Sequence, residues 1–177
     1  MKTENEISHS EAQARAQAES IAEMVGNLTR EGAAQAFVDN LSDEEVLTMG
    51  AEASLIEPED ETPDLDSLRD NLVSEIENEN FEPKDFEWDE DDARQAIQDD
   101  PLSVEVRSGW YNPGGLDNQP EEFCILLCTG GPAVRIIGEL DMDAEPVRAW
   151  IEYQDWGTPW TELFNPPVEQ ETLLTYC

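Results

Sequence analysis

Basic side chains are what this chain has least of. Among its 177 residues are two lysines (Lys2 and Lys84), seven arginines and one histidine (His9), against 43 aspartates and glutamates, a formal net charge of −34. Proteins that hold nucleic acid neutralise its phosphates with Lys and Arg. Direct nucleic-acid binding is therefore excluded as an expectation, and an enzyme acting on nucleic acid would repel its own substrate. Long apolar runs are lacking too. No stretch approaches the roughly 20 apolar residues of a membrane-spanning helix, and the acidic opening Met1-Lys2-Thr3-Glu4-Asn5-Glu6 has no apolar segment of the signal-peptide kind. These absences predict a cytoplasmic protein with no membrane partner.

Cysteine is sparse. Cys124 and Cys128 share one face of an apolar run, which on a strand sets them about 13 Å apart, beyond disulfide reach. They read as reduced core residues, and Cys177 as a further free thiol. With His9 alone to accompany them, a structural zinc site has too few ligands. Asp89–Asp92 and the alternating Glu139, Asp141, Asp143 and Glu145 lack the glycine and closing glutamate of a calcium loop. No Ser, Thr or Cys has a base partner in sequence, and Thr129-Gly130-Gly131-Pro132 reads as a hairpin turn in preference to a phosphate cradle. No catalytic residue, metal or cofactor is implied. The expectation is a non-enzyme.

The apolar pattern divides the chain. Up to residue 82 it reads as an acidic helical region. Ser8 with Glu11 and Ser42 with Glu45 have capping-box spacing. Ile21, Met24, Val25 and Leu28 make a thin stripe, a second helix covers about 33–40, and Val46, Leu47 and Met49 lie on a third. After the break 57–63, Thr62 as cap with Pro63 at the first position would open a helix carrying Leu65, Leu68, Leu72 and Ile76. Residues 83–177 read as a sheet domain, entered through a short helix capped by Asp89. From Ser103 the period becomes two, with Val104 and Val106 on the side to be buried. Asn112-Pro113-Gly114-Gly115 reads as a turn or loop. Residues 122–129 are apolar on both faces, Gly130-Gly131 turns the chain into 133–140, and Val147, Ala149, Ile151 and Tyr153 share a face of a last strand. The fold class is α+β, a helical acidic N-terminal region followed by a four-stranded antiparallel sheet with at least one covering helix.

Acidity is densest between Glu52 and Asp92, where 18 acids meet only Arg69 and Lys84. Self-repulsion opposes folding, so a partner that uses the field is expected. Duplex DNA carries about one charge per 1.7 Å of axis, and a rigid helical surface of carboxylates can occupy a cleft shaped for it. Asp85, Glu87, Asp89, Glu90, Asp91 and Asp92, beside a capped helix, are the foremost candidates for such a DNA-mimic surface, followed by Asp64, Asp66, Asp70, Glu75, Glu77 and Glu79. Glu75 and Glu79 read as a like-charged i,i+4 pair near a helix C-terminus, disfavoured by both repulsion and macrodipole with nothing nearby in sequence to compensate. Solvated acidic faces and salt adaptation are the plainer readings. Salt adaptation predicts even charge, whereas the net is −24 over residues 1–102 (30 acids, six bases) and −10 over 103–177 (13 acids, three bases).

Trp150, Tyr153, Trp156, Trp160 and Phe164 form an aromatic group that reads either as core over one end of the sheet or as a recognition surface, for which Trp150, Trp156 and Trp160 are the candidates. Around it, the segments 100–110, 128–137 and 152–162, including Cys128-Thr129-Gly130-Gly131-Pro132 and Gln154-Asp155-Trp156-Gly157-Thr158-Pro159-Trp160, resemble a family of small uncharacterised proteins of phages, plasmids and integrative elements of proteobacteria. The resemblance covers about residues 85–175 and brings no catalytic residues. In general character the chain is also similar to phage and plasmid counter-defence proteins, anti-restriction and anti-CRISPR, which often imitate DNA. The partner so implied is a basic nucleic-acid-binding protein or complex of the bacterial host, such as a CRISPR effector, a restriction enzyme or another nuclease. The alternative is a sheet-based protein–protein interaction module, or a sequestering partner of a basic protein, with acids serving solubility or salt adaptation.

Overall fold

The computed structural model describes residues 8–56, 63–110 and 119–177. The chain forms two compact units, one of Gly26–Gln95 and one of Met1–Val25 with Ala96–Cys177. The first helix, read from sequence with the acidic helices, thus lies in the unit of the sheet, and residues 83–95 lie with the helices.

In the sheet unit, Ser8 Oγ accepts the Glu11 amide (3.1 Å) and starts α1 (His9–Gly26). The Glu11 carboxylate turns to Arg15 in place of closing a capping box. α1 buries Ala14, Ala18 and Ile21, small residues that leave room for the large side chains of the strands. The sheet has five antiparallel strands in sequence order: β1 (Ser103–Arg107), β2 (Glu122–Cys128), β3 (Ala133–Leu140), β4 (Pro146–Gln154) and β5 (Thr161–Glu162). The fifth, two residues pairing with Glu152 and Tyr153, is too short to announce itself by periodicity. Phe123, Ile125 and Leu127 of β2, Val134 and Ile136 of β3, and Ala149 and Ile151 of β4 point to one face and pack with α1, Leu163, Val168 and α6 (Gln170–Tyr176). Alternation on β1 does not lead to burial. Val104 and Val106 are about three-fifths exposed, because β1 is an edge strand. Tyr176 Oη donates to Asp100 Oδ2, satisfying the one polar end of a buried ring.

Phe123 stands opposite Gly138. A methyl group at 138 would meet the Phe123 ring and the Arg148 carbonyl well inside van der Waals contact, so the ring lies flat where a side chain would otherwise stand.

The helical unit holds α2 (Arg30–Asp39), α3 (Asp43–Glu52), α4 (Leu65–Glu77) and the first turns of α5 (Glu90–Asp99). Each start has its own cap. Thr29 accepts from Gly32 N, and Ser42 with Glu45 closes a full capping box. Asp64 caps α4, so Pro63 sits before the cap and Thr62 lies outside the described residues. Asp89 caps α5 as expected, accepting from Asp91 N and Asp92 N. Ala34, Val38, Val46, Leu68, Leu72, Val73 and Ile76 are the core, with Phe37, Phe81 and Phe86 packed against it. Residues 57–62 and 111–118, including the expected break and the Asn112–Gly115 turn, also lie outside the described residues. Among the described residues no helix is long and apolar enough to cross a membrane.

Gly138→Ala is expected to destabilise the sheet unit by about 1–3 kcal/mol through overpacking, read as a lower urea midpoint. An unchanged midpoint would mean that the Phe123 ring moves aside freely.

Candidate partner-binding surface

All twelve carboxylates singled out in the sequence fall in the helical unit, which carries 23 acids against four bases, a net of −19 over 70 residues. Eleven are exposed and Glu75 is half-buried. They do not form one continuous set. On α4, Asp64 is engaged as the cap, accepting from Asp66 N (3.3 Å) and Ser67 Oγ (2.7 Å). Asp66 and Asp70 follow one turn apart on exposed positions.

The reading of Glu75 and Glu79 needs correction. α4 ends at Glu77, Asn78 is its C-cap, and Glu79 adopts a left-handed backbone (φ 59°), so the two are not a helical i,i+4 pair. Nor is the helix end uncompensated. Arg30, from α2, donates through Nε to the Ile76 carbonyl at 2.9 Å, placing a cation at the negative end of the macrodipole. The compensating group is 46 residues away in sequence, where no local pattern could point to it.

The second set is more compact. The segment 85–89 runs into the N-terminus of α5, where first-turn anions are favoured by the helix dipole. Asp85, Glu87, Asp89 and Asp92 border one cleft of ≈ 580 Å³. Glu90 instead turns to Arg94, with an oxygen 2.6 Å from Nη2, so its charge is partly answered within the chain. Asp91 is exposed but does not border the cleft.

The seven arginines are each paired to a carboxylate of the chain itself. Two also bind main-chain carbonyls at helix ends. Arg69 donates to the carbonyls of Val38 (2.8 Å), in the last turn of α2, and Leu41 (3.1 Å), just beyond it, while pairing with Asp43. The scarce cations thus hold the fold together and leave the outward field almost wholly negative.

On the sheet, the face opposite the core carries cross-strand pairs Arg107–Glu122, Arg135–Glu152 and Arg148–Glu139. The pairing with Arg107 holds the Glu122 carboxyl below its usual range. Of the aromatic group, Tyr153 packs against the core of the sheet unit and the other four rings do not. Trp150 lies on this outer face under Arg148, and Trp160 under Arg135, whose guanidinium is 4.1 Å from the ring centre. Trp156 is 77% exposed, set against Gly131, and Phe164 is 79% exposed. Cys124 is half-buried on this outer face, whereas Cys128, beyond a register shift in β2, packs against the core as read from sequence. Sequence reading missed Phe37, Phe86 and Trp88 of the acidic cleft. The alternation Asp85-Phe86-Glu87-Trp88-Asp89 was the available signal.

Among the described residues no three His, Cys, Asp or Glu side chains come together to hold a metal ion. Asp141 uses its carboxylate on the amides of Asp143 and Glu145, forming a turn. No known protein family, no curated protein and no solved structure matches the chain.

The thiols are poorly disposed to act as nucleophiles, since burial raises all three and pushes Cys177 up to about 12. Alkylation proceeds through the thiolate. At pH 8 Cys177 is expected to react with iodoacetamide on the order of 10³ times more slowly than an ordinary thiol, with a rate still climbing above pH 10. Peptide mass spectrometry checks this, and the rate of a free thiol at pH 8 would place Cys177 in solvent.

Proposed function

We propose that this chain is a non-enzymatic inhibitor that imitates the charge of DNA and occupies the Lys/Arg-lined nucleic-acid channel of a host defence complex, as an anti-CRISPR or anti-restriction protein of a mobile element. It acts in the cytoplasm of a bacterial host. One observation carries the reading. A net charge of −19 is concentrated in a compact helical unit of 70 residues whose three arginines are tied to its own carboxylates. That charge equals the phosphates of about 10 base pairs. The sheet unit carries 20 acids and five bases over 107 residues, about half the charge density. Uniform salt adaptation has no reason to produce that contrast, whereas a surface shaped for a basic channel does.

Exposed carboxylates on packed helices suit this task. Their positions are set by the core beneath, so the ordering entropy of the surface is met in folding and not at binding. Basic channels recognise spaced charge more than base identity, which helical caps and first turns can supply.

A second reading has its own observation. Trp110, Trp156 and Phe164, large and exposed, all lie in the sheet unit, and a protein-binding module built on them would place the acids in a supporting role.

The deciding measurement is a tagged pull-down from bacterial lysate with low- and high-salt washes. A nucleic-acid-binding complex released by salt and displaced by duplex DNA is expected. A salt-resistant partner that DNA leaves in place would transfer the function to the sheet unit. With the captured complex, the variant Asp85→Asn, Glu87→Gln, Asp89→Asn, Asp92→Asn is expected to bind at least about tenfold more weakly at 0.1 M salt and with a shallower salt dependence. Unchanged affinity would remove these carboxylates from the interface.

A further inference from the structure

The acidic cleft is more than a patch of charge, because its floor is aromatic. Ala33, Ala36 and Phe37 of α2 line it together with Phe86 and Trp88. These rings are already immobilised. Phe37 meets Phe86 edge to face, with centroids 5.4 Å apart. Trp88 is pinned by its Nε1–H, which donates to the Asn27 carbonyl at 2.9 Å. The carboxylates of Asp85, Glu87, Asp89 and Asp92 stand around this half-buried apolar floor.

The combination restricts what fits. An anionic ligand meets four carboxylates. A neutral apolar peptide would bury the floor at the cost of desolvating those acids with nothing to pair them. An ammonium group satisfies the rim, but it is compact and strongly hydrated and makes less of the rings. A guanidinium suits both parts. It is planar and weakly hydrated, it stacks on aromatic faces, and its forked donors match carboxylates.

The chain makes this arrangement twice with its own arginines. Arg30 lies 5.4 Å from the centre of the same Phe86 ring while reaching Glu82, and Arg135 stacks on Trp160 while donating two hydrogen bonds to Glu152. We propose that the cleft takes up an arginine-bearing segment of a protein partner, with a guanidinium laid on the Phe86–Trp88 floor and forked onto the rim carboxylates. This rests on the charge-mimic reading and sharpens it. The partner is recognised by arginine side chains in a preformed groove, not by positive charge alone.

Calorimetric titration of the full chain with nona-arginine and nona-lysine, equal in charge, at 0.15 M salt tests this. Nona-arginine is expected to bind about tenfold more tightly. Ala36→Trp, which fills the groove and leaves the charge unchanged, is expected to abolish that preference and spare nona-lysine binding. Trp88→Leu, which removes a ring of the floor, provides the same test should the first variant fail to fold, as judged by circular dichroism. Equal binding of the two peptides, or an arginine preference that survives in a folded variant, overturns the groove and leaves the charge reading standing. Failure of both peptides to bind overturns the two together.

Discussion

Everything in this molecule depends on where its few cations go. Seven arginines serve a chain of 43 carboxylates, and each is held by an acid of the same chain. In the helical unit Arg30 and Arg69 reach across to the C-terminal carbonyls of α4 and α2. They bring a cation to helix ends otherwise met only by local amides, since among the described residues no helix has a basic residue in its own last turn. Exposed ion pairs contribute little, about 0–1 kcal/mol each. A half-buried guanidinium bound to main-chain oxygens is a different device, joining two helices and answering the macrodipole of the one it reaches.

That economy explains how strong self-repulsion and a stable fold coexist. Among the described residues the two cores contain no charged residue, and the only buried polar one is Ser10. Among the described residues no buried side-chain nitrogen or oxygen lacks a hydrogen bond. Repulsion is kept in water, where the Debye length of about 8 Å at physiological salt screens it, and N-caps at Thr29, Ser42, Asp64 and Asp89 use anionic or hydroxyl side chains where the dipole welcomes them. The same placement leaves an outward field that the proposed function uses. Stability and the proposed mimicry overlap at the caps Asp64 and Asp89, which hold helix starts while facing outward.

Much of the fold was legible in the sequence. The run apolar on both faces at 122–129, the Gly130-Gly131 turn into 133–140 and the face shared by Val147, Ala149, Ile151 and Tyr153 placed three strands and the antiparallel meander, and Ser42 with Glu45 and Asp89 marked helix starts at the right residues. Reading stopped where the signal was not local. Val104 and Val106 alternate as a buried strand does, yet lie on an edge, because periodicity reports which residues share a face and not whether anything covers it. β5 is two residues long. The aromatic group was dense in sequence, but its rings diverge, two beneath arginines on the outer face, two into solvent and Tyr153 against the core.

The candidate site divides along the same line. Composition by itself determined that the surface would be strongly anionic, that the acids would concentrate before residue 100, and that direct nucleic-acid binding is a poor expectation, because charge is additive and needs no coordinates. Only tertiary structure decided which carboxylates act together. It drew Asp85, Glu87, Asp89 and Asp92 to one cleft, turned Glu90 to Arg94, moved Glu79 off its helix, and set Phe37 against Phe86 beneath the rim. Those choices depend on distances between residues remote in sequence, which helix packing and two long arginine side chains impose and no local pattern encodes.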